Sequence, residues 1–288
     1  MALEDPRQAR PRPAGVLWPA RGQDVFDVGQ LDLPAPLDLV ASHYWWVRWR
    51  REESRPFRPQ VLGHPVVHLT VEDAEGGTMH GHGMPSALVH GLVTRVFAVD
   101  LPPAGRVAGV AFHPGGLAAL LGASVLALTD RVVRAEEVLG PDVAEVTRVV
   151  LAEPDETARR DALVADLTRR LEPVLERVAE DAAYTTVRAA VELMRAREHR
   201  TLAPVAEALH VSPRTLQRMF ARYVGASPLW VLRRYRLQDA ATAIDAGEAD
   251  DLAALAADLG FADQAHLTRA FTTVIGVPPS AYRDRATG

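Results

Sequence analysis

Arginine and glutamine can hold the edges of guanine and adenine through two hydrogen bonds at once. In Val211–Gly225 (VSPRTLQRMFARYVG), Arg214, Arg218 and Arg222 recur four apart, with Gln217 beside them. That spacing puts the arginines on one side of a helix. Leu216, Met219, Phe220 and Tyr223 recur at helical spacing on another side and make an apolar face. A helix divided this way can enter a DNA groove. It can equally be an ordinary amphipathic helix with a solvated arginine face. A second constellation is His80-Gly81-His82. On a strand, residues i and i+2 point to the same side, so two imidazoles could share a zinc or iron ion. One or two further ligands would have to come from His68, His90 or a carboxylate. The competing account is polar residues beside a glycine-rich turn.

Other chemistry is excluded by what the chain lacks. With no cysteine there is no disulfide, thiolate metal site, cysteine nucleophile or thiol redox sensor. Neither a nucleophile elbow G-x-S-x-G nor a phosphate-cradling glycine loop occurs, so no cofactor is implied and no enzyme is expected. The net charge of −5 argues against a uniformly basic nucleic-acid binder, but charge from Asp181 onward is balanced. All the basic residues counted in that charge are arginine. The first residues are Arg- and Pro-rich without an apolar core, so a secretory signal is not expected. The apolar stretch Leu117–Leu128 is too interrupted to span a bilayer, and a cytoplasmic protein with no membrane partner is expected.

Several elements must position these residues. Ser212 is a good N-cap, Pro213 fits the first helical position, and Gly225 fits the C-terminal stop. Residues 1–22 hold Pro6, Pro11, Pro13 and Pro19 among arginines and read as a disordered tail, with Trp18 marking a first ordered contact. From Asp24 to Asp100 strands are expected at Tyr44–Trp49, Pro65–Val71 and Leu92–Leu101, with another at Val107–Phe112. Short strands at close spacing suggest a small antiparallel barrel or sandwich, followed by a short helix at Gly115–Leu121. His64, His68, His80, His82, His90 and His113 lie in this part. Asp155 or Thr157 should cap a helix through Leu163, Leu167 and Leu171 that breaks at Pro173. Its leucines suit packing on the barrel or pairing with a second subunit.

An internal repeat organises the C-terminal part. Leu216–Phe220 and Leu267–Phe271 both read L-x-R-x-F, with Gly225 and Gly276, then Pro228 and Pro279, following at matching distances. Upstream, Val205-Ala206 and Leu209 match Leu255-Ala256 and Leu259, and Ser212 and Asp263 take equivalent cap positions. A repeat of about fifty residues built as helix, turn, helix is a doubled helix-turn-helix. Ser227–Ala246 between them reads as a helix of roughly 30 Å. Successive major grooves on one DNA face lie about 34 Å apart, so one such helix could set two recognition helices in adjacent grooves.

At this point the chain resembles the AraC/XylS family of bacterial transcription regulators. Leu255–Arg283 is similar to the family signature over nearly its whole length, through Gly260-Phe261, Phe271, Gly276, Pro279 and Tyr282-Arg283. The upstream half more loosely resembles the family's cupin-like sensor domain. Phe112–Gly116 and Leu128–Arg131 are similar to an actinobacterial subgroup. No Glu follows His82 at the spacing of metal-binding cupins.

The resemblance implies base contacts from Arg214, Gln217 and Arg218, and from Gln264, Ala265, Thr268 and Arg269. It implies phosphate contacts from Arg222, Arg233 and Arg234, and from the helix N-termini at Thr201-Leu202 and Asp251-Leu252. The second helix has a single arginine and sits among Asp250, Asp251, Asp258 and Asp263, so the first repeat is expected to dominate base reading.

The expected fold is α+β in two domains. A cupin-like antiparallel β-barrel with helices (23–140) senses or dimerises, and a helical linker (141–182) follows. An all-α domain (183–286) then carries two helix-turn-helix subdomains joined by a long helix. The expected function is a sequence-specific DNA-binding regulator with a small-molecule effector, a homodimer, able to contact RNA polymerase. The alternatives are a metal-dependent cupin-type enzyme fused to a DNA-binding domain and a ligand-independent dimeric regulator.

Overall fold

The computed structural model describes residues 16–17, 25–51, 58–196 and 201–287. Within the expected tail only Val16 and Leu17 are described. Val16 bridges to Val61, and Leu17 is buried. Trp18 and the prolines lie outside the described residues.

The strand-rich half runs β1 (Phe26–Asp32), β2 (Ala41–Arg50), β3 (Gln60–Val61), β4 (His68–Ala74), β5 (Thr78–Met79), β6 (His82–Gly83), β7 (Ser86–His90), β8 (Phe97–Ala98) and β9 (Ala104–Phe112). The aromatic and β-branched run of β2 extends the expected Tyr44–Trp49 strand at both ends. A six-stranded antiparallel sheet forms in the order β1-β2-β9-β4-β7-β10, where β10 is Val132–Arg134. The sheet does not close into the expected barrel, because β1 and β10 are its two edges and do not pair with each other. Two short two-stranded ribbons, the pair β3-β8 and the hairpin β5-β6, stand apart from it. The expected strand Leu92–Leu101 shrinks to β8, while β7 (SALVH) was not expected. Its residues are all buried, so it lacks the alternation that signals a half-exposed strand.

Helices α1 (Gly116–Leu121), α2 (Glu136–Leu139), α3 (Val143–Ala152), α4 (Glu156–Leu171) and α5 (Leu175–Ala179) follow. Asp155 caps α4 by accepting from the Ala158 N–H, and the helix gives way to a 3-10 turn containing Pro173. Leu163, Leu167 and Leu171 are fully buried in a core shared with Tyr44, Val71 and Val110 of the sheet. At about 2 kcal/mol per buried leucine, this packing favours the docked helix over a free linker. The stretch expected to link the domains therefore packs on the sheet.

The C-terminal part is α6 (Ala182–Arg195), α7 (Leu202–Ala208), α8 (Pro213–Tyr223), α9 (Pro228–Asp245), α10 (Leu252–Asp258), α11 (Gln264–Ile275) and α12 (Pro279–Thr287). The expected doubling is present. The turn of the second unit, Leu259–Asp263, is one residue longer than that of the first, Leu209–Ser212. His210 (φ 53°) and Gly260 (φ 73°) take the same left-handed step. The hydrophobic core of the first unit is continuous with that of the sheet, through Tyr184, Val187, Leu216, Phe220 and Tyr235. The second unit has its own cluster, around Leu237, Leu267, Phe271 and Tyr282. No helix among the described residues is long and apolar enough to cross a membrane.

Candidate nucleic-acid interface

Recognition chemistry requires a rigid helix with an outward polar face. In α8 the Ser212 Oγ accepts from the Thr215 N–H at 3.1 Å, and Pro213 begins the helix. Leu216, Phe220 and Tyr223 are buried, while Arg214, Gln217 and Arg218 are exposed. The three expected base-reading side chains of this repeat thus share one free-standing face.

The far end of α8 is held by the sheet-bearing half. The Val125 N–H donates to the Arg222 carbonyl at 3.0 Å, and Thr129 Oγ1 donates to the Gly225 carbonyl at 2.9 Å. Arg222 Nη2 donates to the Gly122 carbonyl at 3.0 Å, so this expected phosphate contact is already engaged, although exposed. Tyr223 donates its hydroxyl to Asp181 at 2.7 Å. Burial, then that hydrogen bond, pushes the phenol up to about 12.

In the second unit, Asp263 caps α11 by accepting from the His266 N–H at 2.6 Å. Gln264, Ala265 and Arg269 are exposed and Thr268 is half-buried. His266 packs edge-on against Phe261 with centroids 5.3 Å apart, which locks the turn.

The helix N-termini expected to meet phosphates differ. Thr201 stands ahead of α7 and its side chain caps no amide. Asp251 accepts from the N–H groups of both Ala253 and Ala254, at 2.8 and 3.1 Å. Its carboxylate takes the place an anion would occupy, so the expected phosphate contact at Asp251-Leu252 is corrected.

Arg234 is a second correction. It is 2 % exposed, donates to the carbonyls of Val93 and Thr94 at 3.2 and 2.5 Å, and lies 4.6 Å over the Trp230 ring. Burial lowers its pKa to about 10, against a partial counter-effect of Asp130. The reason is that α9 is buried on nearly all sides, at Val231, Leu232, Tyr235, Leu237, Gln238 and Ile244. One turn cannot present both of two adjacent arginines outward, and Arg233 is the exposed one.

Of the two accounts of the histidine pair, the structure has the one beside a glycine-rich turn. His80-Gly81 is the turn of the β5-β6 hairpin, with φ of 52° and 81°, so the two imidazoles do not share a strand face. His82 Nε2 meets the Val132 carbonyl at 3.1 Å. His80 instead meets Glu72 and His90. Glu72 was not named from the sequence. The alternation His68-x-Thr70-x-Glu72 could have found it, because it places the three on one face of β4.

Residues 205–285 match the family model described as Helix-turn-helix domain, and residues 34–134 match Domain of unknown function (DUF6597). A protein of Streptomyces lividans described as an AraC-like transcription regulator is 38% identical over 87 residues, 30% of this chain and 28% of that protein. One of Streptomyces antibioticus is 39% identical over 83 residues, 29% and 27% of the two chains. The chain thus spans under a third of either relative's length. The C-terminal domain of AraT, a response regulator from Geobacillus stearothermophilus, is 30% identical with a TM-score of 0.32, covering 34% of this chain and 84% of that one. ToxT from Vibrio cholerae is 12% identical with a TM-score of 0.41, covering 92% and 100%. Neither score is high enough to equate the folds.

Proposed function

We propose that the protein is a sequence-specific DNA-binding transcription regulator, because residues 205–285 match a helix-turn-helix family model and the chain is similar to an AraC-like regulator over 87 residues. The observation that carries this reading is the paired exposed faces, Arg214, Gln217 and Arg218 on α8 with Gln264 and Arg269 on α11. Each arginine is suited to guanine and each glutamine to adenine. Arg233 is suited to a phosphate, which positions without specifying.

The sheet-bearing half is read as the sensor. It holds the end of α8 through Val125 and Thr129, and holds α9 through Val93 and Thr94. A small molecule that favours one placement of these segments would shift DNA affinity by its differential binding to the two placements. A homodimer, contact with RNA polymerase and a cytoplasmic location complete the reading.

Genome-wide mapping of bound sites tests it, followed by gel-shift titration of a recovered site. A recurring sequence motif whose binding is lost in the Arg214→Ala/Arg218→Ala double variant is expected. Absence of any enriched motif would overturn the reading. Thermal stabilisation across a metabolite panel separates an effector-controlled regulator from one that only dimerises. Turnover assays on metal-loaded protein test the enzyme alternative.

A further inference from the structure

Three side chains from separate elements meet on the face of the sheet away from α3 and α4. Glu72 of β4 is buried, with its side chain 2 % exposed. Its Oε1 accepts from Thr70 Oγ1 at 2.7 Å and lies 2.7 Å from His90 Nε2, at the end of β7. Its Oε2 is buried without a hydrogen-bond partner, 3.3 Å from the Nε2 of His80. All three candidate ligand atoms lie within 4.8 Å of one another.

We propose that Glu72, His80 and His90 form a binding site for a divalent first-row transition metal ion, with Zn2+ the first candidate. Two imidazole nitrogens and one carboxylate oxygen are the donors that suit such ions, and they leave a fourth position open. Ligand atoms around one tetrahedral zinc stand about 3.4 Å apart, so a set lying within 4.8 Å needs only side-chain adjustment. The Glu72 carboxylate is already placed between the two imidazoles, with its Oε2 lacking a hydrogen-bond partner. Thr70 orients it, as an outer hydrogen bond does for a metal ligand.

The turn supports the assignment. A hairpin turn with two left-handed residues favours Asn-Gly or Asp-Gly, yet His80 occupies the first position at φ 52°. Its imidazole is thereby folded over the sheet, edge-on to His90 with centroids 4.9 Å apart. Phe97 packs against both rings, at 5.5 and 6.0 Å, and walls the cluster with apolar surface. His82, the other half of the sequence pair, takes no part.

The site is independent of the DNA-binding reading, and its test uses metal binding alone. Full-length protein is stripped with chelator and titrated with Co2+ and Zn2+, following the visible bands of bound Co2+ and the metal content after dialysis. One equivalent is expected, together with a rise in Tm. His80→Asn keeps a residue that accepts the turn and should weaken binding at least about tenfold without lowering the metal-free Tm. His90→Gln should also weaken binding, and His82→Ala should bind as the unaltered protein does. Absence of stoichiometric binding by the unaltered protein would overturn the site. So would loss of binding in His82→Ala equal to that in His80→Asn.

Discussion

Two arginines in equivalent frames do not carry equivalent chemistry. Arg218 lies on α8 beside exposed Arg214 and Gln217, whereas Arg269 lies on α11 in a subdomain with exposed Asp250, Asp251, Asp258 and Asp263. If DNA is met by α11 as proposed, those carboxylates would repel its phosphate backbone. Arg218→Ala should therefore cost a specific site about 1–3 kcal/mol, roughly five- to 160-fold in Kd, and Arg269→Ala less. Titration of both variants on one operator checks the order, and a larger loss for Arg269→Ala would reverse the assignment. Arg233 and Arg234 form a sharper pair. If exposed Arg233 meets a phosphate, Arg233→Ala should weaken specific and non-specific DNA alike and reduce the salt slope by about one. Arg234→Ala should leave that slope unchanged and lower Tm, because the carbonyls of Val93 and Thr94 lose their buried donor. Equal salt slopes for Arg233→Ala and the unaltered protein would remove Arg233 from the interface.

Elements repeat in this chain, but their surroundings do not. Gly225 and Gly276 close α8 and α11 with φ of 84° and 90°. A Cβ at Gly225 would come within 2.6 Å of Thr129 Oγ1, whereas one at Gly276 meets nothing within 4 Å. Gly276→Ala should cost only the left-handed conformation, about 1–2 kcal/mol. Gly225→Ala should cost more and loosen the grip of Thr129 on α8, which urea melts of the two variants would measure. Equal losses would mean that the contact at Thr129 yields freely. The contrast also marks what was legible in the sequence. Caps and periodicity are local, so Ser212, Asp263, Asp155 and the doubled helix-turn-helix could be read directly. So could the outward faces of α8 and α11, because an apolar stripe leaves its complement exposed. The burial of Arg234 could not, since it depends on Val93 and Thr94, far away in sequence. Barrel closure was likewise beyond the alternation of single strands, because it depends on which edges pair. At His80-Gly81 the spacing left a strand pair and a glycine-rich turn both open, and the structure has the turn.

At the scale of the whole molecule, the two halves meet along α9, and that seam should respond to acid. His64 packs against Tyr235 with ring centroids 6.1 Å apart, and Gln238 Nε2 donates to the Leu62 carbonyl at 2.6 Å beside it. Burial, with Arg195, His43 and Arg234 nearby, lowers the His64 pKa from 6.5 to about 4, although Asp239 pulls the other way. The unfolded chain therefore takes up this proton at a higher pH than the folded one. The seam's stability is complete above pH 6.5, declines as pH falls below that value, and levels off near pH 4. At pH 5 the loss amounts to at most about 2 kcal/mol. His68 is also held neutral by burial, so it adds a slope of the same sign that a variant at position 64 would leave in place. Urea melts at pH 7 and pH 5 should accordingly show a smaller acid loss in His64→Gln than in the unaltered protein. An unchanged difference would place the acid-sensitive step elsewhere. A reduced one would tie the charge state of a single side chain in the sensor half to the stability of its contact with α9.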